Sequence, residues 1–287
     1  MKPPNIEARI TIYEPEERFG GFFGTVLTAA DEIRRSRFLI WKLFVRDFKA
    51  QMRQKILGYL WAFIAPLLII FGFIVMNVSG VLKPGETGVP YPVYVFVGAS
   101  IFGFLTTTVL AISDGFLKQG ELMLKTNVPK IAIAISSLAQ IVYNLIVHLI
   151  MLVLIMVLFQ IPPHLLSPLY VVTIIPMIVL GIAIGLFVSV LGVIARDIGI
   201  MVQSVLSLLM YITPVVYVAA SLDNAFIQNL IWWNPLTYLV EVPRSLMLHG
   251  TTELWLGYGL STLASLAALM ICTRGFYIVQ DLIAERL

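Results

Sequence analysis

Charge is what this sequence has least of. Only 12% of its 287 residues are Asp, Glu, Lys or Arg, about half the 25% share usual for a soluble domain. It has one cysteine, Cys272, so no disulfide can close within the chain and cysteine usage carries no redox information. It has no phosphate-binding loop of the GxxxxGK(S/T) type, no HExxH and no CxxC. Those gaps exclude nucleotide hydrolysis on a P-loop, zinc hydrolysis of that type and dithiol exchange. No pair of carboxylates lies in or near one apolar stretch. Asp114, Asp197, Asp223, Glu241 and Glu253 are scattered over different connectors, which argues against a membrane-embedded glycosyltransferase needing acidic groups together at one face.

What fills the sequence instead is apolar. The hydrophobic share is 59% and the mean hydropathy is +0.94, so the chain reads as an all-α polytopic membrane protein. A bilayer core of about 30 Å needs roughly 20 apolar residues as helix. Six runs meet that need, at about 57–79, 93–113, 131–159, 169–194, 200–220 and 254–272, and none holds Asp, Glu, Lys or Arg. The first begins only near Leu57, and no cleavable signal peptide is visible before it. Residues 1–56 form a polar N-terminal segment, 57–275 the membrane domain and 276–287 a tail. The stretch "FIQNLIWWNPLTYLVEVPRSLMLHG" (226–250) is apolar but broken by Pro235 and Pro243 and marked by Glu241 and Arg244. It reads as two short helices dipping into the membrane within a re-entrant region, 222–250, because proline removes a helix hydrogen bond.

The few basic residues are unevenly placed. Eleven lie in the N-terminal segment, three (Lys118, Lys125, Lys130) in the connector 114–130, Arg196 in the turn 195–199, and Arg274 and Arg286 near the C-terminus. Lys83 and Arg244 alone lie on the other side. By the positive-inside rule both termini are expected in the cytoplasm. In "RSRFLIWKLFVRDFKAQMRQK" (35–55), Arg35, Lys42, Arg46, Lys49 and Arg53 fall on one narrow helical arc beside Phe38, Trp41, Val45, Phe48 and Met52. That is the pattern of an amphipathic helix in the membrane interface. It serves either as an anchor beside anionic lipid or as a contact for a soluble partner or substrate headgroup.

Ion-driven carriers place ionisable groups inside their spans. Here His148 is the one titratable group in a run; it is a helix-to-helix hydrogen bond or, less commonly, a proton relay. The chain therefore reads as a conduit powered by something else. Gly181, Gly185 and Ser189 make a small-residue row suited to close helix packing. Aromatics crowd the first run (Tyr59, Trp61), the fifth (Tyr211, Tyr217) and the broken stretch (Trp232, Trp233, Tyr238). They fit an interfacial belt or the stacking of sugar rings along a path.

Three ordered blocks carry a family resemblance. "RDFKAQMRQKILGYLWAFIAPLL" (46–68), with Leu57, Gly58, Trp61 and Pro66, resembles the entry to the first span of ABC-type polysaccharide export permeases. "ARDIGIMVQSVLSLLMYITPVVY" (195–217) is similar to that family's Arg-Asp turn and following span. "WNPLTYLVEVPRSLMLHG" (233–250) resembles its Asn-Pro-Leu region before the last span. The connector "GELMLKTNVPK" (120–130) keeps Lys125 and Pro129 but has Val128 before the proline, where the family often has Phe.

The resemblance implies a permease for O-antigen, teichoic acid or a related lipid-linked glycan, with a drug or lipid permease of the same architecture as the alternative. It implies two permease copies beside two copies of a separate ATPase that binds ATP and Mg. Membrane lipid is a further partner, and no nucleic acid is expected. Lys118, Glu121, Lys125, Pro129, Arg196 and Asp197 would then couple to the ATPase. Tyr59, Trp61, Tyr211, Trp232, Trp233, Asn234, Pro235 and Arg244 would line the path or gate. No residue is expected to be catalytic and none to bind metal.

Overall fold

The structure, a computed structural model, describes residues 21–53, 59–118, 130–195, 197–222 and 224–284. Every regular element among them is helical: α1 (Gly21–Arg35), α2 (Arg37–Arg53), α3 (Tyr59–Val78), α4 (Tyr91–Lys118), α5 (Lys130–Ser136), α6 (Leu138–Leu158), α7 (Leu169–Thr173), α8 (Ile175–Ile194), α9 (Ile198–Ile212), α10 (Ala225–Trp233), α11 (Pro235–Leu248) and α12 (Trp255–Ala284), with one 3-10 turn at Ala219–Ser221. Four stretches are long and apolar enough to cross a membrane: Tyr91–Gly115, Ile133–Leu158, Leu169–Gly192 and Trp255–Val279. Two shorter apolar helices, Phe63–Val78 and Ile198–Ile212, match the first and fifth runs.

The central helix is α4, and α8 lies closest to it. The close approach comes from the small-residue row. A methyl group on Gly181 would stand 2.7 Å from the Thr108 Cβ, and one on Gly185 would stand 2.9 Å from the Ile112 Cβ. Ser189, fully buried on the same face, satisfies its hydroxyl on the Leu186 carbonyl at 2.7 Å. Thr108 does likewise on Phe104 at 2.6 Å, so neither hydroxyl is stranded in the apolar core.

Because residue 181 sits by 105 and 108, and 185 by 109 and 112, α4 and α8 run parallel. On α12, Tyr258 donates to the Thr173 carbonyl at 3.0 Å, while Phe276 and Tyr277 pack with Leu186 and Val190, so α12 runs the same way. The C-terminal ends of α4, α8 and α12 therefore gather at one end of the bundle. There α1 and α5 join them in a second core of Ala29, Ile112, Ile131, Ala134, Leu186, Val190, Phe276 and Tyr277. The Tyr277 hydroxyl donates to the Glu32 carboxylate at 2.7 Å and ties α1 to α12. The opposite end carries the segments 79–90, 159–168, 213–222 and 249–254.

Three expectations change. The 200–220 run is helical only to Ile212: Thr213 is extended (φ −84, ψ 138), as the residue before Pro214 must be to avoid the proline ring. In 226–250 only Pro235 marks a break. Pro243 sits inside α11. The N-terminal basic arc is split between two helices: Arg35 ends α1, and α2 begins after Ser36.

Candidate functional site

Beyond α9 the backbone turns irregular, yet it lies buried. Pro214, Val215 and Val216 are all shielded from solvent. A buried carbonyl without a partner costs roughly 1–3 kcal/mol, so the four successive carbonyls from 214 to 217 must be met by something. Side chains meet all four. The Arg244 Nη2 donates to the Pro214 carbonyl at 2.9 Å, and its Nη1 to the Val215 carbonyl at 2.9 Å. The Tyr91 hydroxyl donates to Val216 at 3.1 Å, and the Tyr94 hydroxyl to Tyr217 at 3.1 Å. The sequence places two tyrosines one helical turn apart at the start of α4, so both point to one segment.

Arg244 is 1% exposed. Its charge is met by Glu241, three residues earlier on the same helix, and its guanidinium lies 4.0 Å from the Tyr94 ring centroid. An isolated cation would be expensive there; this one has a carboxylate, two carbonyls and a π-face. Gly98 completes the fit. A methyl group at Gly98 would stand 2.3 Å from the Val215 carbonyl oxygen and 2.9 Å from the Arg244 Nη1, so only glycine lets α4 pass this close.

The Asn-Pro hinge braces the same segment. Asn234 ends α10 and starts α11 with extended backbone (φ −76, ψ 117). Its side-chain oxygen accepts from the Leu236 N–H at 3.0 Å, a helix N-cap. Its amide donates to the Thr213 hydroxyl at 3.2 Å. Carbonyls freed by the break are caught by Thr237, which donates to Ile231 at 2.6 Å, and by Tyr238, which donates to Trp232 at 2.9 Å. From the neighbouring connector, the Pro84 carbonyl accepts the Val218 N–H at 2.8 Å.

Of the gate residues expected from sequence, Asn234, Pro235 and Arg244 are brought together here. Trp232 packs at 5.8 Å from Tyr238, while Trp233 and Tyr211 face outward. Tyr59 and Trp61 lie on α3, but their side chains fall outside the described residues, as does that of Lys118 at the end of α4. Glu121, Lys125, Pro129 and Arg196 lie wholly outside them. Asp197 is exposed in the turn between α8 and α9. In the basic arc, Arg35 pairs with Asp31 at 2.6 Å and Arg46 with Asp47 at 2.8 Å. Lys42 sits 4.5 Å from the Phe38 ring centroid, Lys49 is exposed, and the Arg53 side chain is outside the described set. Phe44 and Phe48 turn inward, Phe48 meeting Tyr143 of α6 edge-on at 6.0 Å. His148 makes a helix-to-helix contact at 2.6 Å with Tyr170. Among the described residues no group of three or more His, Cys, Asp or Glu could hold a metal.

Sequence reading missed Tyr91, Tyr94 and Gly98. The signal was present: a tyrosine pair opening an apolar run, and a lone glycine four residues beyond the second.

The stretch that folds into this site is also what relates the chain to known proteins. The model of the ABC-2 type transporter membrane family matches residues 39–248, from early α2 to the last residue of α11. The chain belongs to the ABC-2 type transporter family. Two curated relatives are similar to it, each an O-antigen export system permease protein RfbA. The one from Klebsiella pneumoniae is 24% identical over 213 residues, 72% of this chain and 78% of the relative. The one from Myxococcus xanthus is 25% identical over 212 residues, 73% and 80% of the two chains. As an ABC-2 member the chain is a multi-pass transport subunit and not an enzyme, and ATP with its Mg is used by a separate nucleotide-binding partner.

Proposed function

We propose that this chain is the permease of an ATP-driven exporter that moves a lipid-linked polysaccharide, O-antigen-like or teichoic-acid-like, out of the cytoplasm across a bacterial inner membrane. The observation that carries this reading is the pair of O-antigen export permeases aligned along more than 70% of the chain. The sequence agrees with it, since the six apolar runs hold no Asp, Glu, Lys or Arg to couple an ion gradient.

Six spans are proposed, the four long helices plus α3 and α9, with both termini cytoplasmic and α10–α11 returning to the outer face. The basic asymmetry supports the orientation. So does the gathering of the C-terminal ends of α4, α8 and α12 with the start of α5 at one end of the bundle. In a Cys272→Ser background, a cysteine at Asp197 should react with an impermeant thiol reagent only from the cytoplasmic side, and one at Ser221 only from outside; the reverse pattern would overturn the orientation.

Two copies are proposed to flank the glycan path. On α9, Gln203, Ser204, Ser207 and Tyr211 all face outward, and the two serines return their hydroxyls to Ile200 and Gln203 of the same helix. A face holding a glutamine and a tyrosine suits a water-filled path between copies better than lipid. Lys118, Glu121, Lys125, Pro129, Arg196 and Asp197 are proposed to dock on two ATPase subunits, and α2 to lie on anionic lipid through Lys42 and Lys49. Deleting the gene in its host should remove the glycan from the cell surface and leave lipid-linked glycan inside, with recovery on complementation. An unchanged surface glycan would defeat the proposal.

A further inference from the structure

A cavity of about 380 Å³ lies between α3, α4 and α6. It exists because α4 presents Ala99, Ser100, Gly103 and Thr107 on one face and α3 does not fill the groove they leave. The contrast with α8 is direct. Gly181 and Gly185 meet neighbouring atoms closely, whereas a methyl group on Gly103 would meet nothing within 4 Å.

Five side chains with polar atoms line this cavity inside an apolar bundle: Ser100, Thr107, Tyr143, Asn144 and His148. Among the described residues, Ser100, Thr107 and Asn144 have no hydrogen-bond partner. Thr108, next in sequence but facing α8, bonds back to its own helix. His148 is 6% exposed and its Nδ1 has no partner. Its Nε2 meets the Tyr170 hydroxyl at 2.6 Å. That phenol has no other acceptor among the described residues, so it donates to Nε2, and the neutral ring carries its proton on Nδ1. Polar groups left unmet in hydrocarbon are costly, and here they converge on one space.

The lining decides what fits that space. It contains no Asp, Glu, Lys or Arg, so a charged ligand would go uncompensated. Water alone fits poorly. The volume would hold about a dozen molecules at roughly 30 Å³ each, each wanting two to four polar partners, and most of the lining is apolar. Phe96 stacks on the His148 ring at 5.0 Å and Phe104 meets it edge-on at 5.4 Å, which gives the cavity an aromatic wall suited to a flat ring. The size is that of a small-molecule site, about 300–1,000 Å³.

We infer that this cavity is a binding site for an uncharged, membrane-soluble molecule of drug size, with a ring-bearing apolar body and hydroxyl or carbonyl groups that take up the donors of Ser100, Asn144 and His148. The occupant seats between α3 and the α4–α6 pair and fixes the spacing of α3. Binding stands independently of the glycan reading; only a consequence for export would rest on it.

The test uses the full chain in lipid nanodiscs and two photoreactive probes. One is trifluoromethyl-diazirinyl benzyl alcohol, and the other is the same aryl diazirine without the hydroxyl. The expected result is saturable labelling of cavity residues on α3, α4 and α6 by the alcohol. Gly103→Leu, which fills open space, should cut that labelling by about tenfold at a melting temperature no lower than that of the unaltered chain. Asn144→Leu and His148→Phe should each weaken the alcohol by about fivefold, the factor of one hydrogen bond of about 1 kcal/mol, and leave the hydroxyl-free probe unchanged. Should Gly103→Leu unfold the chain, the Asn144 and His148 variants decide alone. Labelling that never saturates, spreads over lipid-facing Ile146, Ile150 and Val153, or ignores the cavity variants would overturn the inference.

Discussion

Arg244, inside α11, donates a 2.9 Å hydrogen bond to the carbonyl of Val215, a residue just past the end of α9 and 29 positions away in sequence. That bond, with its neighbour on Pro214, lets a buried stretch of non-helical backbone exist in an apolar bundle. Arginine suits the place because its planar fork reaches two adjacent carbonyls at once, which a lysine ammonium does not.

Arg244→Lys should therefore keep the charge and lose the fit. The expected cost is about 2–5 kcal/mol, from one or two buried carbonyls left unpaired and a cation displaced from Glu241. Thermal unfolding in detergent should show a melting temperature lowered by several degrees, and Arg244→Ala should be worse. An Arg244→Ala protein with native stability and full export would show that the contacts are dispensable.

Two glycines on α4 should respond in opposite directions. Gly98→Ala puts a methyl group 2.3 Å from the Val215 carbonyl oxygen and should destabilise by about 1–3 kcal/mol through overpacking. Gly103→Ala meets open space and should gain up to about 1 kcal/mol from the better helix former. Paired melting curves check this; equal shifts for the two variants would contradict the close approach of α4 to the 213–218 segment.

In the connector, Glu121→Lys, Lys125→Glu and Pro129→Gly should leave expression and membrane insertion intact while lowering export and glycan-stimulated ATP hydrolysis by tenfold or so, the factor that a lost contact of about 1.4 kcal/mol gives. Both rates are measured on the complex with its ATPase. Normal export by all three variants would make the connector a topology signal only.

His249 offers a pH test at the end of the bundle away from the C-terminal end of α4. It follows α11, with Gly88 against its ring: a methyl group there would stand 3.0 Å from the ring. Partial burial, and then the nearby His164 and Arg244, lower its pKa below the usual value, while Glu241 opposes them. The folded chain thus binds this proton less readily than the unfolded one. Its contribution is complete above the unfolded value of about 6.5 and is lost as pH falls below it. The melting temperature should drop as pH falls below about 6.5, and His249→Gln should flatten part of that drop. A slope unchanged by the substitution would assign the acid sensitivity to other groups.

Much of this was legible in the sequence. Apolar runs without charge located the long helices. Asn234 before Pro235 marked the hinge and its cap. Arg244 in an apolar stretch implied buried partners, and Glu241 at three residues' spacing was one of them. The rest was hidden for physical reasons. Residues 213–220 are as apolar as the helix before them, so hydropathy could not show that Pro214 ends α9. Tyr91 and Tyr94 find acceptors 125 and 123 residues away, and their acceptors are main-chain carbonyls, which every residue carries. The vacancy beside Gly103 was equally invisible, since the same small-residue spacing gives tight packing on α8.

We propose that ATP hydrolysis on a partner subunit drives a lipid-linked glycan through this permease. The most direct test is reconstitution of the permease with its ATPase in liposomes holding a fluorescently tagged lipid-linked glycan. The tag should move from the ATPase face to the opposite leaflet only with ATP and Mg, and about tenfold more slowly with Glu121→Lys. The same lipid without its sugar chain should move far more slowly. Equal movement of the sugar-free lipid, or glycan movement without ATP, would contradict it.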